Sequence, residues 1–176
     1  CSRGTRHPEI HSQRRGAKII LAQDPNTRAG IPESVMKTKY PNTYKYLRKF
    51  EGSKKKPERG TLRGRALFKK FYKTDDPFYS MYNVGTYHLK PWKVLWPEVG
   101  YSVEACVVGP SEKDGGKPVL PAHSIVSIGC DTKEEAYYIC GIVNSRLCQA
   151  LCLGYLVLHP SPHVMDFIPI KSYKGD

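Results

Sequence analysis

The chain has 176 residues, which suffices for one ordinary domain with a hydrophobic core and argues against two large ones. Hydrophobic residues make up 40% of the composition, which argues against wholesale disorder, and no apolar run approaches the ~18 residues that a bilayer span requires. The formal net charge of the chain is +12. Residues 37–73 contain fourteen Lys and Arg and two acidic residues, so this segment carries an excess of positive charge equal to that of the whole chain. Such a segment predicts a polyanionic partner, and its alternative is a basic surface that only contacts solvent.

The beginning of the chain predicts one strand and one helix. Residues 18–22 form an apolar run that is typical of a buried strand, and residues 24–26, Asp-Pro-Asn, predict a turn directly after it. We expect a helix from about Pro41, because proline suits the first turn of a helix. Gly52 can end this helix, since glycine is common just beyond a helix C-terminus.

The basic segment follows, and its sequence from residue 52 to residue 73 is "GSKKKPERGTLRGRALFKKFYK". Its first half contains glycines between charged residues, which predicts a loop. Its second half, residues 62–72, has the composition of a short helix. We therefore expect a loop rich in lysine and arginine that leads into a helix of about three turns.

The pattern changes to strands after the basic segment. The apolar and aromatic residues 92–96 and 103–109 predict two strands, and the proline and glycine between them indicate a hairpin or adjacent strands. Residues 113–117, Lys-Asp-Gly-Gly-Lys, predict a turn. Residues 118–130 supply one or two further strands.

The clearest helix in the sequence begins after Thr132. Thr132 with Glu135 three residues later forms a capping box, and acidic side chains favour this end of the helix dipole. Gly154 is expected to end the helix, and Gly141 within it predicts close packing against a neighbour. The apolar stripe that this helix would bury consists of Ala136, Ile139, Val143, Leu147 and Leu151.

Two late apolar stretches, residues 155–158 and 167–170, predict further strands or extended edges. Together these elements predict a single α+β domain over residues 1–176, with a mixed, largely antiparallel sheet and a few flanking helices. Residues 92–170 would form the sheet-and-helix scaffold. Residues 37–73 would form its strongly basic face.

Cysteine use and the N-terminus bear on the cellular setting. The six cysteines form no Cys-x-x-Cys pair, and the spacing of His159 and His163 matches no zinc-ligand pattern, so we expect no metal site. Reduced thiols packed as small hydrophobic side chains in a cytoplasmic protein are the expectation. The chain starts without Met and without the apolar core of a secretory signal, and we expect a piece of a longer protein.

The motif "DDPFY" at residues 75–79 comes close to the Asp/Asn-Pro-Pro-Tyr/Phe loop of amino-directed methyltransferases. Phe78 stands where that loop has its second proline, and no strand leading into a glycine-rich cofactor turn precedes it. The acidic residues are scattered, Glu104-Ala-Cys lacks the lysine of a common nuclease motif, and no Gly-x-Ser-x-Gly sequence frames a nucleophile. We therefore expect no catalytic residue in this chain.

Three other stretches carry a resemblance to a known family. They are "PFYSMYNVGTYHLKPWKVLWPEVG" (77–100), "EEAYYICGIVNS" (134–145) and "HVMDFIPI" (163–170), and "YPNTYKYLRKFEG" (40–52) fits the helix that precedes them. In order and spacing the chain resembles the C-terminal target-recognition domains of adenine-N6 DNA methyltransferases from bacterial restriction–modification systems, including fused methylase–endonuclease polypeptides. The resemblance covers roughly residues 16–173.

The resemblance implies a division of labour. A separate catalytic domain, linked covalently or associated, would bind S-adenosylmethionine and methylate adenine N6. This chain would contact duplex DNA and select its sequence, without a cofactor or a membrane contact of its own. It would thus be a non-catalytic part of a site-specific enzyme.

The basic segment and the tyrosines after it supply the candidate DNA contacts. Lysines are expected to bind phosphates, while a guanidinium can grip guanine O6 and N7 in the major groove. Each arginine has phosphate contact as its alternative, and each tyrosine has a place in the core as its alternative. The candidates are Lys54, Lys55 and Lys56 for phosphates, Arg59, Arg63 and Arg65 for bases, Lys69 and Lys70 for the DNA backbone, and Tyr79 and Tyr82 for a deformed base pair or a phosphate.

Three alternatives of other classes stay open at this point. An RNA-binding or ribosome-associated module would also combine basic sequence with tyrosines. A protein–protein adaptor in a restriction complex would carry the basic loop incidentally. A nuclease would need the scattered acidic residues to converge in the fold.

Overall fold

The computed structural model describes residues 18–99, 103–122, 124–155, 168 and 170–174. It has the predicted mixed α+β class, with two antiparallel sheets and helices around them in a single domain. The strands are β1 (Gln23–Asp24), β2 (Ala29–Gly30), β3 (Trp92–Pro97), β4 (Cys106–Val108) and β5 (Ile125–Cys130). The helices are α1 (Glu33–Lys39), α2 (Pro41–Arg48), α3 (Ala66–Phe71), α4 (Lys133–Val143) and α5 (Arg146–Tyr155), with short 3-10 helices at Thr86–Leu89 and Glu112–Asp114.

The first sheet is the two-stranded antiparallel ribbon of β1 and β2. The turn predicted at residues 24–26 is confirmed, and the Asn26 backbone N–H donates to the Asp24 side chain at 2.9 Å. The strand predicted over residues 18–22 is wrong. Ile19 and Ile20 are exposed, because strand pairing begins only at β1 and their side chains find no core to fill.

Two helices precede the basic loop, and the sequence predicted one of them. The start at Pro41 is confirmed, since proline is the first residue of α2, whereas α1 was missed. The helix ends at Arg48, four residues before Gly52. The helix predicted over residues 62–72 is present but shorter, because the backbone just before α3 is engaged in hydrogen bonds with the end of the α2 region.

The second sheet has three antiparallel strands in the order β4-β3-β5. Val94 of the central strand β3 lies opposite Val107 of β4 and Ile128 of β5. The adjacent pairing of the strands predicted around residues 92–96 and 103–109 is confirmed. Residues 118–130 contribute one strand, β5.

Helix α4 begins as predicted, because the Thr132 side chain accepts a hydrogen bond from the Glu135 backbone N–H at 3.1 Å. The single long helix to Gly154 is wrong. The helix breaks at Asn144, and α5 continues to Tyr155 with a different face inward. Leu147 is therefore 72% exposed, where the predicted stripe would bury it. Gly141 is exposed too, and no neighbour lies within 4 Å of where its Cβ would be, so the predicted close packing is wrong.

The described residues have two separate hydrophobic cores. We call residues 18–89 the N-terminal lobe, with a core around Met36, Leu47 and Phe78. Residues 90–155 are the C-terminal lobe, in which α4 and α5 cover the sheet around Val94 and Trp96. The two lobes meet where the 3-10 helix Thr86–Leu89 lies against β5.

The cysteines of the C-terminal lobe pack as predicted. Cys130, Cys148 and Cys152 are buried in its core, and every cysteine among the described residues is a free thiol. Burial raises the pKa of Cys130 to about 11, which keeps the thiol neutral. His159, His163, Cys1 and most of the two late apolar stretches lie outside the described residues. No helix in the described part of the chain is long and apolar enough to cross a bilayer.

Candidate nucleic-acid interface

The last two residues of the stretch at 75–79, Phe78 and Tyr79, belong to the N-terminal core. Phe78 is fully buried, and the Tyr79 hydroxyl donates to the Ile31 backbone carbonyl at 2.6 Å. Burial is the main cause that raises the pKa of Tyr79 above its ordinary value, so the hydroxyl stays protonated and donates. The predicted DNA contact by Tyr79 is therefore wrong, because its ring and hydroxyl are both used inside the protein.

Arg63 is also inside the protein, with a relative exposure of 2%. Its Nε donates to Glu51 Oε1 at 2.9 Å, its Nη2 lies 2.8 Å from the same oxygen, and its Nη1 donates to the Thr74 carbonyl at 2.7 Å. The guanidinium lies between the rings of Phe68 and Phe78, 5.8 and 5.7 Å from their centres. The predicted base contact by Arg63 is wrong, because a buried ion pair occupies the group that would read a base.

Arg65 connects the basic segment to the core in a similar way. Its Nε donates to the Leu62 carbonyl at 2.8 Å, and its Nη2 donates to the carbonyls of Phe78 and Ser80 at 3.1 and 2.9 Å. Burial lowers the pKa of Arg65, and the nearby Tyr72 opposes this. Because Nε and Nη2 of this half-buried guanidinium are bonded to three backbone carbonyls, a bidentate contact with a base would have to break these bonds, and the base contact of Arg65 stays a prediction.

The loop between α2 and α3 is closed at its base by backbone hydrogen bonds. The Leu62 N–H donates to the Phe50 carbonyl at 2.7 Å, and the Arg63 N–H donates to the Glu51 carbonyl at 3.0 Å. Directly after the closing bonds, Gly64 lies so close to the loop that a Cβ would stand 1.8 Å from the Glu58 carbonyl oxygen. The loop is thus anchored at its base, while its lysines remain exposed.

The loop lysines and the end of α3 line one open cleft of about 510 Å³, which we call the lysine cleft. It brings together four of the predicted lysine contacts and one further lysine of the basic segment, and the buried Arg63 also contributes to its lining. The five lysines are Lys54, Lys55, Lys56, Lys69 and Lys73. All five side chains are exposed, so their positive charges face solvent around a single concavity.

Two other predicted contacts lie outside this cleft. Arg59 is exposed in a turn of the loop. Lys70 is exposed on α3, and its ammonium lies 5.2 Å from the centre of the Phe71 ring. Of the fourteen basic residues between positions 37 and 73, twelve are exposed and only Arg63 and Arg65 are drawn inward.

A second cleft of about 320 Å³ adjoins the lysine cleft, and Tyr72 lines both. We call it the aromatic cleft, and its lining is Arg28, Phe71, Tyr72, Tyr82 and Asn83. Tyr82 was a predicted contact, whereas the other four were not. Arg28 stands outside the basic segment, so composition gave no signal for it. The adjacent aromatic residues Phe71 and Tyr72 in "KKFYK" are a local signal for this cleft.

Neither a metal site nor a similar protein adds to the assignment of function. Among the residues that the structure describes, no three His, Cys, Asp or Glu side chains come together as a metal site. Comparison of the chain with protein-family models, curated proteins and solved structures finds no match.

Proposed function

We propose that this chain binds duplex DNA through the lysine cleft and serves as the sequence-selecting domain of a bacterial adenine-N6 DNA methyltransferase of a restriction–modification system. The observation that carries the proposal is the gathering of five exposed lysines around one cleft in the N-terminal lobe. The resemblance of residues 40–52, 77–100 and 134–145 to the target-recognition domains of these enzymes supports the biological setting. Methyl transfer belongs to a separate domain that binds S-adenosylmethionine.

The lysine cleft suits the DNA backbone for electrostatic reasons. Duplex DNA carries a dense row of phosphates, and each lysine that neutralises one releases a condensed counterion. Lysine is a flexible point charge without the planar fork of arginine, so these contacts position the duplex and do not distinguish sequences. The anchored base of the loop reduces the ordering that binding would otherwise require.

Sequence selection needs a side chain that reaches base edges. Arg63 is buried, Arg65 is half-buried and bonded to backbone carbonyls, and Arg59 is the member of the predicted arginine set that is exposed. It stands in the same loop as Lys54, Lys55 and Lys56, five residues or fewer along the chain. A loop held on phosphates by its lysines would place Arg59 at the groove, where a guanidinium reads guanine bidentately.

Fluorescence anisotropy with a labelled duplex across a salt series tests the proposal. With about five phosphates neutralised, the logarithm of the binding constant should fall with the logarithm of salt at a slope near −4 to −5. Replacing Lys54, Lys55 and Lys56 together by alanine should reduce the magnitude of this slope by about 3. The matched control is the pair Lys113→Ala and Lys117→Ala, which removes exposed lysines from the C-terminal lobe and should leave the slope nearly unchanged.

A flat salt response would contradict the proposal, and so would equal losses from the loop variant and the control. Tighter binding of structured RNA in competition would favour the RNA-binding alternative instead. Arg59→Ala tests the reading role separately. The Arg59→Ala variant should lose roughly tenfold in its preference for the cognate site, because a bidentate contact contributes ~1–3 kcal/mol of discrimination. An equal loss of affinity on every sequence would instead assign Arg59 to a phosphate contact.

A further inference from the structure

The aromatic cleft contains an exposed stacked pair of rings. Phe71 and Tyr82 have ring centres 3.8 Å apart and an interplanar angle of 15°, and they are 43% and 46% exposed. Tyr82 covers one face of Phe71, and the Lys70 ammonium lies over the same Phe71 ring. The stacking surface left for a ligand is therefore on Tyr82.

The cleft is held in shape by one buried side chain, Gln23. Its amide nitrogen donates to the carbonyls of Arg28 and Met81 at 2.8 and 2.9 Å, and its amide oxygen accepts from the Met81 N–H at 2.9 Å. The Tyr72 hydroxyl donates to the same Met81 carbonyl at 2.8 Å. Three segments that line the cleft are thus fixed to one another before any ligand arrives.

Two cleft residues have left-handed backbone conformations. Arg28 has φ +55° and Asn83 has φ +56°, and these are the non-glycine residues with positive φ in the described part of the chain. Asparagine tolerates this region, whereas for an arginine it costs about 1 kcal/mol or more. Both residues line the same cleft. The Arg28 guanidinium also lies 5.9 Å from the centre of the neighbouring Tyr87 ring.

The position of the cleft indicates its ligand. It continues from the lysine cleft across Tyr72, so a strand whose phosphates lie on Lys69 and Lys73 passes directly beside it. Unpaired bases bind flat aromatic side chains that lie next to cations. Stacking of a base on such a ring contributes ~1–3 kcal/mol, and this contribution does not depend on which base it is. The cleft's volume, about 320 Å³, lies at the small end of the range for small-molecule sites.

We propose that the aromatic cleft receives one unpaired nucleobase of the bound DNA, stacked on Tyr82, with Arg28 and Lys70 at the flanking phosphates. This inference rests on the proposed function, because it requires the DNA to lie along the lysine cleft. It adds that the domain prefers DNA in which one base has left the helix. A fully paired duplex would use the lysine cleft alone.

Two labelled duplexes test this inference, one fully paired and one with a single bulged 2-aminopurine. The wild-type chain should bind the bulged duplex roughly tenfold more tightly, and stacking should quench the 2-aminopurine fluorescence. Tyr82→Leu should remove both the preference and the quenching, because it should weaken binding of the bulged duplex far more than binding of the paired duplex. Tyr82→Phe keeps the ring and should keep both. Tyr46→Leu is the matched control. Tyr46 lies on α2, is 50% exposed, and packs against the ring of Phe50, which follows the helix.

The outcomes separate this inference from the proposed function. If the wild-type chain binds both duplexes equally, or if Tyr82→Leu weakens both by the same factor, the base site is wrong and the lysine cleft stands. If neither duplex is bound in a salt-dependent manner, the proposed function is wrong and the base site falls with it. If single-stranded RNA outcompetes the bulged duplex, the site binds bases but the partner is RNA.

Discussion

The two lobes of this molecule are built on different physical principles. The N-terminal lobe holds a small core together with arginines: Arg63 pairs with Glu51 inside the protein, and Arg65 bridges backbone carbonyls. The C-terminal lobe packs α4 and α5 against a three-stranded sheet with apolar and cysteine side chains. Its sequence carries six Lys and Arg against seven acidic residues, whereas residues 18–89 carry sixteen against six.

Charge count alone therefore does not separate structural cations from those that face a partner. In the N-terminal lobe a few arginines stabilise the scaffold, and the lysines around them remain at the surface. Arginine suits the structural role because its planar fork satisfies several acceptors at once. Lysine suits the surface role because its charge is strongly hydrated and its chain is flexible.

The largest effect expected in this comparison comes from Arg63→Met. The change leaves Glu51 without its buried partner, and breaking a buried ion pair by removing one member typically costs ~3–5 kcal/mol. Arg48 remains 2.8 Å from the other Glu51 oxygen, so we expect a loss near the lower end, about 3 kcal/mol in the free energy of unfolding by urea.

Two further variants sharpen this prediction. Arg59→Met removes an exposed arginine of the same loop and should change stability by less than ~0.5 kcal/mol. Glu51→Gln combined with Arg63→Met should recover part of the loss, because the unpaired buried charge is gone. Equal stabilities for Arg63→Met and Arg59→Met would contradict the division between structural and surface cations.

A smaller effect is expected in the C-terminal lobe, from Asn144→Ala. The Asn144 side chain accepts from the Ala105 N–H at 2.9 Å and donates to the Ala105 carbonyl at 2.8 Å, so it ties the break between α4 and α5 to the chain entering β4. Losing two neutral hydrogen bonds should lower the free energy of unfolding by ~1–2 kcal/mol. DNA affinity at a temperature well below the unfolding midpoint should not change.

Asn42→Ala is the control for this prediction, since Asn42 is an exposed asparagine in the first turn of α2. We expect it to change stability by less than ~0.5 kcal/mol. A loss of DNA affinity in Asn144→Ala that matches the loss in the loop-lysine variant would contradict the assignment of binding to the N-terminal lobe.

The smallest effect concerns the one buried lysine of the C-terminal lobe, Lys93, whose ammonium donates to the Lys90 carbonyl at 2.7 Å. Burial lowers its pKa below 10.5, and the neighbouring Cys130 opposes this. Between the folded and unfolded pKa values the unfolded chain binds more protons, so this group's contribution to stability rises with pH. The stability of Lys93→Met relative to wild type should therefore fall as pH rises toward 10.5.

The relative stability is the correct readout for Lys93 because other groups titrate in the same range. Burial raises the pKa values of Cys130 and Cys148 to about 11, and these thiols make both proteins less stable above pH 9. The Cys148 contribution is expected to be similar in the variant and in wild type. Cys130 loses the Lys93 charge that lowers its pKa, so in the variant its pKa rises further and the relative stability changes in the same direction as that expected for Lys93. A difference between the two proteins that stays constant from pH 8 to pH 10.5 would contradict the lowered pKa of Lys93.

The sequence predicted the fold class and the elements whose signals are local. Pro41 marked the start of α2, Thr132 with Glu135 marked the start of α4, and the apolar runs marked β3 and β5. The break at Asn144 was missed because the apolar periodicity continues through it. Asn144 turns the chain by bonding to Ala105, a contact 39 residues away that no local pattern reports.

The site was predicted in part for the same reason. The lysines belong to one loop, to helix α3 and to the residues directly after it, so their clustering follows from chain order, and four of the five cleft lysines were named in advance. Arg63 and Arg65 were assigned to DNA because sequence gives the charge of an arginine and not its burial. Their acceptors are backbone carbonyls and one glutamate that only the folded chain brings near.

Amide hydrogen exchange of the whole chain, with and without a duplex that contains one bulged base, maps the surface that binds DNA. We expect the N-terminal lobe alone to contact nucleic acid. DNA should slow exchange in residues 52–73 and in residues 81–85, and exchange in β3, β5 and α4 should be unchanged. Protection spread equally over both lobes, or confined to the C-terminal lobe, would contradict this expectation.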